Sequence, residues 1–210
     1  TALTTSTAIG TDGTYPQWSL DGTKIIFEST SDVNDHSLAG DVSNVWVVNA
    51  DGTGLQAVTH ITTPGADSFK PQWSPDGTKI AFVSIRHVDG TDNVNDNSTM
   101  NIWVVNSDGS GQPIALSTSV GISDNSLDPQ WSPDGTKIVF SSTRDITGLD
   151  QVNPCSNIWV VNADASASPA PLTLADTTLT DSYSPQWSPD GTQITFESSR
   201  KTDGSNAPNS

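Results

Sequence analysis

The string Pro-Gln-Trp-Ser occurs four times, beginning at Pro16, Pro71, Pro129 and Pro185, and its tryptophans Trp18, Trp73, Trp131 and Trp187 stand 55, 58 and 56 residues apart. A fixed period of this length marks stacked supersecondary units, none of which can bury its apolar face alone. A second string lies between the copies of the first, as Asn44-Val-Trp-Val-Val-Asn49, Asn101-Ile-Trp-Val-Val-Asn106 and Asn157-Ile-Trp-Val-Val-Asn162. Together the two strings hold all seven tryptophans of the 210-residue chain.

Each unit reads as a series of short strands. Ser-Pro-Asp-Gly, as at Ser74 to Gly77, places turn formers between two apolar stretches, and its glycine supplies the positive φ of a tight hairpin. The stretch that follows, Thr78 to Ser84 with counterparts Lys24 to Ser29, Lys137 to Ser142 and Gln193 to Ser198, alternates and is rich in β-branched residues. The tryptophan-valine element supplies a third strand. The turns Asp51-Gly52, Asp108-Gly109 and Asp164-Ala165 lead to a fourth at Leu55 to Thr59, Ile114 to Ser117 and Leu172 to Leu174. Four antiparallel strands per repeat make a propeller blade. The expected fold is therefore an all-β propeller of four-stranded antiparallel blades, with three complete blades and partial blade strands at both ends. The units run over about residues 15–67, 70–124 and 128–181, with a partial unit at 184–210. No stretch keeps a 3.6-residue spacing, so no helix longer than about two turns is expected.

The run Pro-Gln-Trp-Ser-Pro-Asp-Gly-Thr-Lys-Ile-(Ala/Val)-Phe, followed by Asn-Ile-Trp-Val-Val-Asn and a Leu-Thr strand, resembles the TolB-type propeller repeat over almost the whole chain. Similar blades occur in periplasmic TolB, in surface proteins, in the propeller domains of prolyl oligopeptidases and in some polysaccharide lyases. The resemblance implies a propeller, a periplasmic or extracellular location and a protein partner; it does not choose among activities, because one fold hosts many.

Charge narrows the partners. Eight basic against 24 acidic residues leave a formal charge of −16, which argues against nucleic acid and anionic membranes, since both are bound through basic patches. The same charge suits bound cations, basic proteins or simple solubility. No apolar run approaches a membrane span, so no membrane insertion is expected. The chain does not begin with Met and opens with no signal peptide, the appearance of a processed or excised segment. Cys155, the single cysteine, excludes an internal disulfide and a thiolate metal cluster and reads as a packed or loop thiol.

Catalytic groups are scarce. His36, His60 and His87 fall at unrelated repeat positions, and no Gly-x-Ser-x-Gly elbow is present. The repeated tryptophans suit packing between blades better than a sugar-stacking ladder, and Trp18, Trp73, Trp131 and Trp187 are expected at equivalent buried positions. Arg86, Arg144 and Arg200 recur after the second strand. Asp12, Asp67 and Asp181 recur four residues before the Pro of Pro-Gln-Trp-Ser, with Asn125 in the third unit. Opposite charges at fixed positions suggest structural pairs between strand ends.

The long connections 31–43, 87–99 and 145–156 exceed the two to five residues of ordinary hairpins. Asp89, Asp92, Asn93, Asn95 and Asp96 in the second, and Asp32, Asn34, Asp35 and Asp41 in the first, are candidate ligands for calcium, which takes six to eight oxygens. Their spacing is not that of an EF-hand, and a solvated acidic loop has the same composition. Asn97-Ser98-Thr99 has the acceptor pattern for N-glycosylation.

The sequence thus reads as a noncatalytic, secreted or periplasmic propeller that binds a macromolecular partner through its loops, with no catalytic residues of its own. The rival is part of the propeller domain of a hydrolase or polysaccharide lyase with active residues elsewhere. Thr1 to Thr4 resembles a fourth strand, and the chain stops where another tryptophan-valine strand would begin. Closure is therefore expected to need a longer chain or a second copy, giving a homo-oligomer.

Overall fold

The computed structural model describes residues 13–31, 39–91, 93–94, 98–118, 124–146, 155–175 and 180–200. The expected strand at Thr1 to Thr4 and the position Asp12 lie outside the described residues. Among the described residues fourteen strands run in chain order: β1 (Gly13–Trp18), β2 (Lys24–Ser31), β3 (Ala39–Asn49), β4 (Gln56–Ala57), β5 (Ser68–Trp73), β6 (Lys79–Ser84), β7 (Asn101–Asn106), β8 (Ile114–Ala115), β9 (Ser126–Trp131), β10 (Lys137–Ser142), β11 (Asn157–Asn162), β12 (Ala170–Pro171), β13 (Ser182–Trp187) and β14 (Ile194–Ser198). They form three antiparallel four-stranded sheets, each pairing in sequence order, and a two-stranded sheet of β13 and β14. The fold is an all-β propeller, and among the described residues there is no helix.

Several strand boundaries differ from expectation, two of them with a consequence for the fold. Residues 39–43, expected in a loop, extend β3, where Ala39 pairs with Ser31. The last fourth strand is Ala170–Pro171 rather than Leu172 to Leu174, because its register sets Pro171 opposite Trp159, as Ala57 is set opposite Trp46.

The turn between first and second strands is built alike in every blade. Ser74 Oγ donates to Asp76 Oδ1 (2.7 Å) and accepts from Lys79 N (2.9 Å), while Thr78 N donates to Asp76 Oδ1 (3.0 Å). The same bonds recur around Asp21, Asp134 and Asp190. These donors hold the carboxylates below their ordinary 3.8. Asp134 and Asp190 are held at about 2, chiefly by the Ser132 and Ser188 hydroxyls and then by the Thr136 and Thr192 amides.

The core lies between blades. Ile26, Val45 and Val47 of the first blade meet Trp73, Ile80, Phe82 and Trp103 of the second. Ala81, Val83, Ile102 and Val104 of the second meet Ile138, Phe140, Trp159 and Val161 of the third. Alternation along each central strand therefore serves two neighbours, one per face. Buried asparagines at the start of the third strands hold the connection to the next blade. Asn157 Nδ2 donates to the Ala175 carbonyl (3.0 Å), while its Oδ1 accepts from Ala175 N (2.7 Å) and Thr173 Oγ1 (2.9 Å). Asn44 makes the same three bonds to Ile61 and Thr59.

Two outcomes follow. Ala165 occupies the place of Gly52 and Gly109 with φ of 58°, so Ala165→Gly removes a left-handed strain and raises the unfolding free energy in urea by up to ~1 kcal/mol. The turn carboxylates have folded pKa values below their unfolded ones, so their contribution is complete above pH ~4 and is lost as pH falls toward ~2. Thermal midpoints measured from pH 5 to pH 2 should fall through that window, and a flat profile would show that the turns contribute nothing.

Candidate functional site

The first strands of successive blades touch one another, β1 with β5, β5 with β9 and β9 with β13, and so form the inner wall of the fold. Each is interrupted at the same place. The pairing with its second strand shifts between Thr14 and Gln17, between Phe69 and Gln72, between Leu127 and Gln130, and between Tyr183 and Gln186. The extra residue of each bulge stands immediately before the proline and has a positive φ: Tyr15 51°, Lys70 52°, Asp128 54° and Ser184 52°. None is glycine, and a residue before proline is normally driven to extended backbone. Such conformations cost roughly 1–3 kcal/mol each and persist where the surroundings enforce them, often at functional positions.

The bulges turn four different side chains, a phenol, an ammonium, a carboxylate and a hydroxyl, out of equivalent positions. Lys70 Nζ lies 2.9 Å from Asp128 Oδ1, so neighbouring blades are bridged at this level. Below the bridge, Glu28 accepts from Lys70 N (2.9 Å) and from Thr14 Oγ1 (2.7 Å). Gln17 Nε2 donates to Gln72 Oε1 (2.9 Å), and Gln17 Oε1 accepts from Trp73 N (3.1 Å). Residues 15–17, 70–72 and 128–130 line an open cavity of about 320 Å³. That volume lies at the lower end of small-ligand pockets and fits a side chain or short segment better than a buried cofactor. Tyr15 is 59% exposed at its rim, an aromatic face available for contact.

The tryptophans of the first string hold equivalent positions but are not equally buried. Trp73, Trp131 and Trp187 each donate Nε1–H to the carbonyl of a glutamine in the preceding blade, Gln17, Gln72 and Gln130, at 3.2, 3.2 and 3.3 Å. Trp73 is 9% exposed, whereas Trp18 is 58% exposed, because no described blade precedes it. The expectation of uniform burial is corrected on this point. Trp73, Trp131 and Trp187 act as struts between blades.

Of the arginines expected in pairs between strand ends, Arg144 is half-buried, which lowers its pKa, while the nearby Asp124 carboxylate favours its charge. Arg86 and Arg144 lie over the Trp103 and Trp159 rings, 5.3 and 5.0 Å from the centroids. Asp67 and Asp181 accept from the amides of Ser43 and Ser156 in the preceding blade, at 2.7 and 2.8 Å, and Asn125 accepts from Met100 N (3.0 Å). An amide acceptor is all that position requires, which is why asparagine serves there.

Of the candidate calcium ligands, Asp32, Asn34, Asp35, Asp92, Asn95 and Asp96 lie outside the described residues, and Asp41 belongs to β3. Asp89 and Asn93 lie in a small hairpin closed by His87 N to the Asn93 carbonyl (2.7 Å) and by the Arg86–Val94 bridge. Asp89 Oδ1 accepts from Thr91 N (2.8 Å) and Thr91 Oγ1 (2.7 Å), with His87 Nδ1 at 3.0 Å, and Asn93 Nδ2 donates to Thr91 Oγ1 (3.2 Å). The Thr91 donors, then His87, hold Asp89 at about 2. Asp89 and Asn93 thus both take part in shaping this turn. Cys155 is buried.

The inner-wall residues Tyr15, Lys70, Asp128 and Ser184 were missed in the sequence, although a signal exists. The position before Pro-Gln-Trp carries a different chemical type in every repeat. The Lys70–Asp128 pair is half-buried and still reached by solvent, and such a pair contributes only ~0–1 kcal/mol, so Lys70→Ala should leave the urea unfolding free energy within ~1 kcal/mol of the parent. A loss above ~2 kcal/mol would make the pair structural.

No protein-family model matches the chain. Over 128 residues it is 29% identical to the uncharacterized peptidase YuxL of Bacillus subtilis (strain 168), a match covering 61% of this chain and 17% of that protein. The structure is similar to the putative TolB of Agrobacterium tumefaciens, with a TM-score of 0.59 and 23% identity over 88% of this chain and 55% of that one. It is also similar to TolB of Acinetobacter baumannii, with a TM-score of 0.55 and 18% identity over 88% and 37% of the two chains. The chain thus spans little more than half of the first solved relative and a sixth of the curated one. With these likenesses beside the blade topology and the Trp–Gln struts, the chain has the TolB-like β-propeller fold.

Proposed function

We propose that the chain is a noncatalytic binding module, periplasmic or extracellular, that holds a macromolecular partner at the rim of its inner wall. The observation that carries this reading is the set of four bulges, which present Tyr15, Lys70, Asp128 and Ser184 from one strained backbone geometry. A constant scaffold with a variable side chain at each copy of one position is the arrangement that recognition needs. The formal charge of −16 favours a partner segment carrying basic groups, which Asp128 and Glu28 would meet beside the Tyr15 ring.

The identity to the peptidase YuxL supports a second reading, in which the chain is the propeller portion of a hydrolase and the wall screens peptide substrates. The complete coding sequence separates the two, since the hydrolase reading requires a nucleophile elbow outside these residues. The binding reading is tested with a photo-crosslinking side chain in place of Tyr15 and, as a control, of Thr53 on an outer hairpin. Expected is one discrete adduct from the Tyr15 position that is lost with Asp128→Ala; equal labelling from both positions would overturn the proposal.

A further inference from the structure

The two members of the Lys70–Asp128 bridge are not equally free to move. Both stand at the bulge position of inner strands that have a described neighbour on either side, β1 and β9 beside β5, and β5 and β13 beside β9. Asp128 has a short side chain on a backbone fixed at φ 54°, with Ser141 Oγ 3.5 Å from its Oδ2. Lys70 reaches it from the preceding blade on a flexible four-carbon stem and meets Oδ1 at 2.9 Å. The carboxylate is therefore the fixed member and the ammonium the movable one.

The bridge also lies in the wall of the open cavity. Among the described residues that line it, Lys70 is the one basic group and Asp128 the one acidic group. Their side chains stay 33% and 35% exposed, so solvent and solute reach the pair, and a bridge of this kind is weak enough for another cation to replace. A chain of formal charge −16 draws cations toward such a wall. The carboxylate is also incompletely matched. Its Oδ2 receives only the long Ser141 contact, whereas a planar guanidinium would meet both oxygens with two parallel N–H donors. An ammonium is a single point of charge and holds the pair less specifically.

We propose that Asp128 is the seat for an arginine side chain of the partner, and that Lys70 is an internal occupant of that seat which the arginine displaces. The inference rests on the reading of the inner wall as a binding surface and adds to it the group recognised and the residue that sets the threshold for recognition. Lys70 lowers the affinity of every entering cation by the strength of its own bridge. A guanidinium exceeds that threshold through its second donor. An entering ammonium only matches Lys70, and a neutral side chain does not displace it. Lys70 is thus a specificity-determining residue, and its stem swings aside without any change in the blades.

The probe is a capped glycyl-arginyl-glycine peptide, titrated into the isotope-labelled 210-residue chain and followed by the NMR shifts of the inner-wall amides. Versions with lysine, citrulline or glutamate in place of arginine are titrated beside it. Arginine should bind more tightly than lysine, and citrulline and glutamate should not bind. Lys70→Met should tighten arginine binding by about twofold to fivefold, the range released when a competing pair of this exposure is removed. Asp128→Asn should abolish it. Lys24→Met makes the same change of charge on a residue outside the cavity and should leave the affinity as it was. No arginine binding by the parent or by Lys70→Met, no more tightening from Lys70→Met than from Lys24→Met, or equal binding of arginine and citrulline would each overturn the proposal. So would a glutamate peptide that binds the parent and is lost with Lys70→Met, which would make Lys70 the seat of an anion. Because the titration uses no partner, such a failure beside a discrete adduct from the Tyr15 position removes the arginine seat and leaves the binding module standing.

Discussion

The structure depends on the indole-to-carbonyl contact between inner strands. A blade of this repeat is apolar on both faces of its central strands, so no blade is stable by itself, and neighbours must meet at one defined height and rotation. The Trp73, Trp131 and Trp187 bonds to Gln17, Gln72 and Gln130 set that relation at the narrow side of each wedge, where a small error in angle would be magnified outward. The interdigitated apolar clusters then supply the bulk of the burial. Directional bonds at each junction give registry, and dispersion and the hydrophobic effect give strength.

Most of this fold was legible in the sequence because its signals are local and repeated. Ser-Pro-Asp-Gly names its own turn, and the alternation of Lys79 to Ser84 names a strand with two covered faces. The purpose of the tryptophans was readable too, but not the contrast between Trp73 and Trp18, since burial belongs to the neighbour and not to the residue. The inner wall was hidden for a different reason. A positive φ is normally announced by glycine, and Tyr15, Lys70, Asp128 and Ser184 announce nothing of the kind. Their geometry is imposed by the bulge, which exists only once two strands are paired. The acidic connection is legible only as a composition, because counting oxygens does not reveal the turn that Asp89 forms with Thr91.

Placing variation on the bulges separates two demands on one strand. Ladder residues on either side keep the blade intact, while the unpaired residue is excused from pairing and can carry any chemistry its backbone tolerates. The Lys70–Asp128 bridge illustrates the freedom, since ion and counter-ion come from different blades and neither belongs to a sheet's own hydrogen-bond ladder.

The asparagine clamps at Asn44 and Asn157 have a consequence for how such a chain changes over generations. Each ties its own blade to the start of the next through backbone groups alone, apart from one neighbouring threonine hydroxyl, and so is nearly blind to which blade follows. Unequal recombination that duplicates or deletes one unit would therefore leave every surviving connection chemically whole. Blade number becomes a quantity that drifts cheaply.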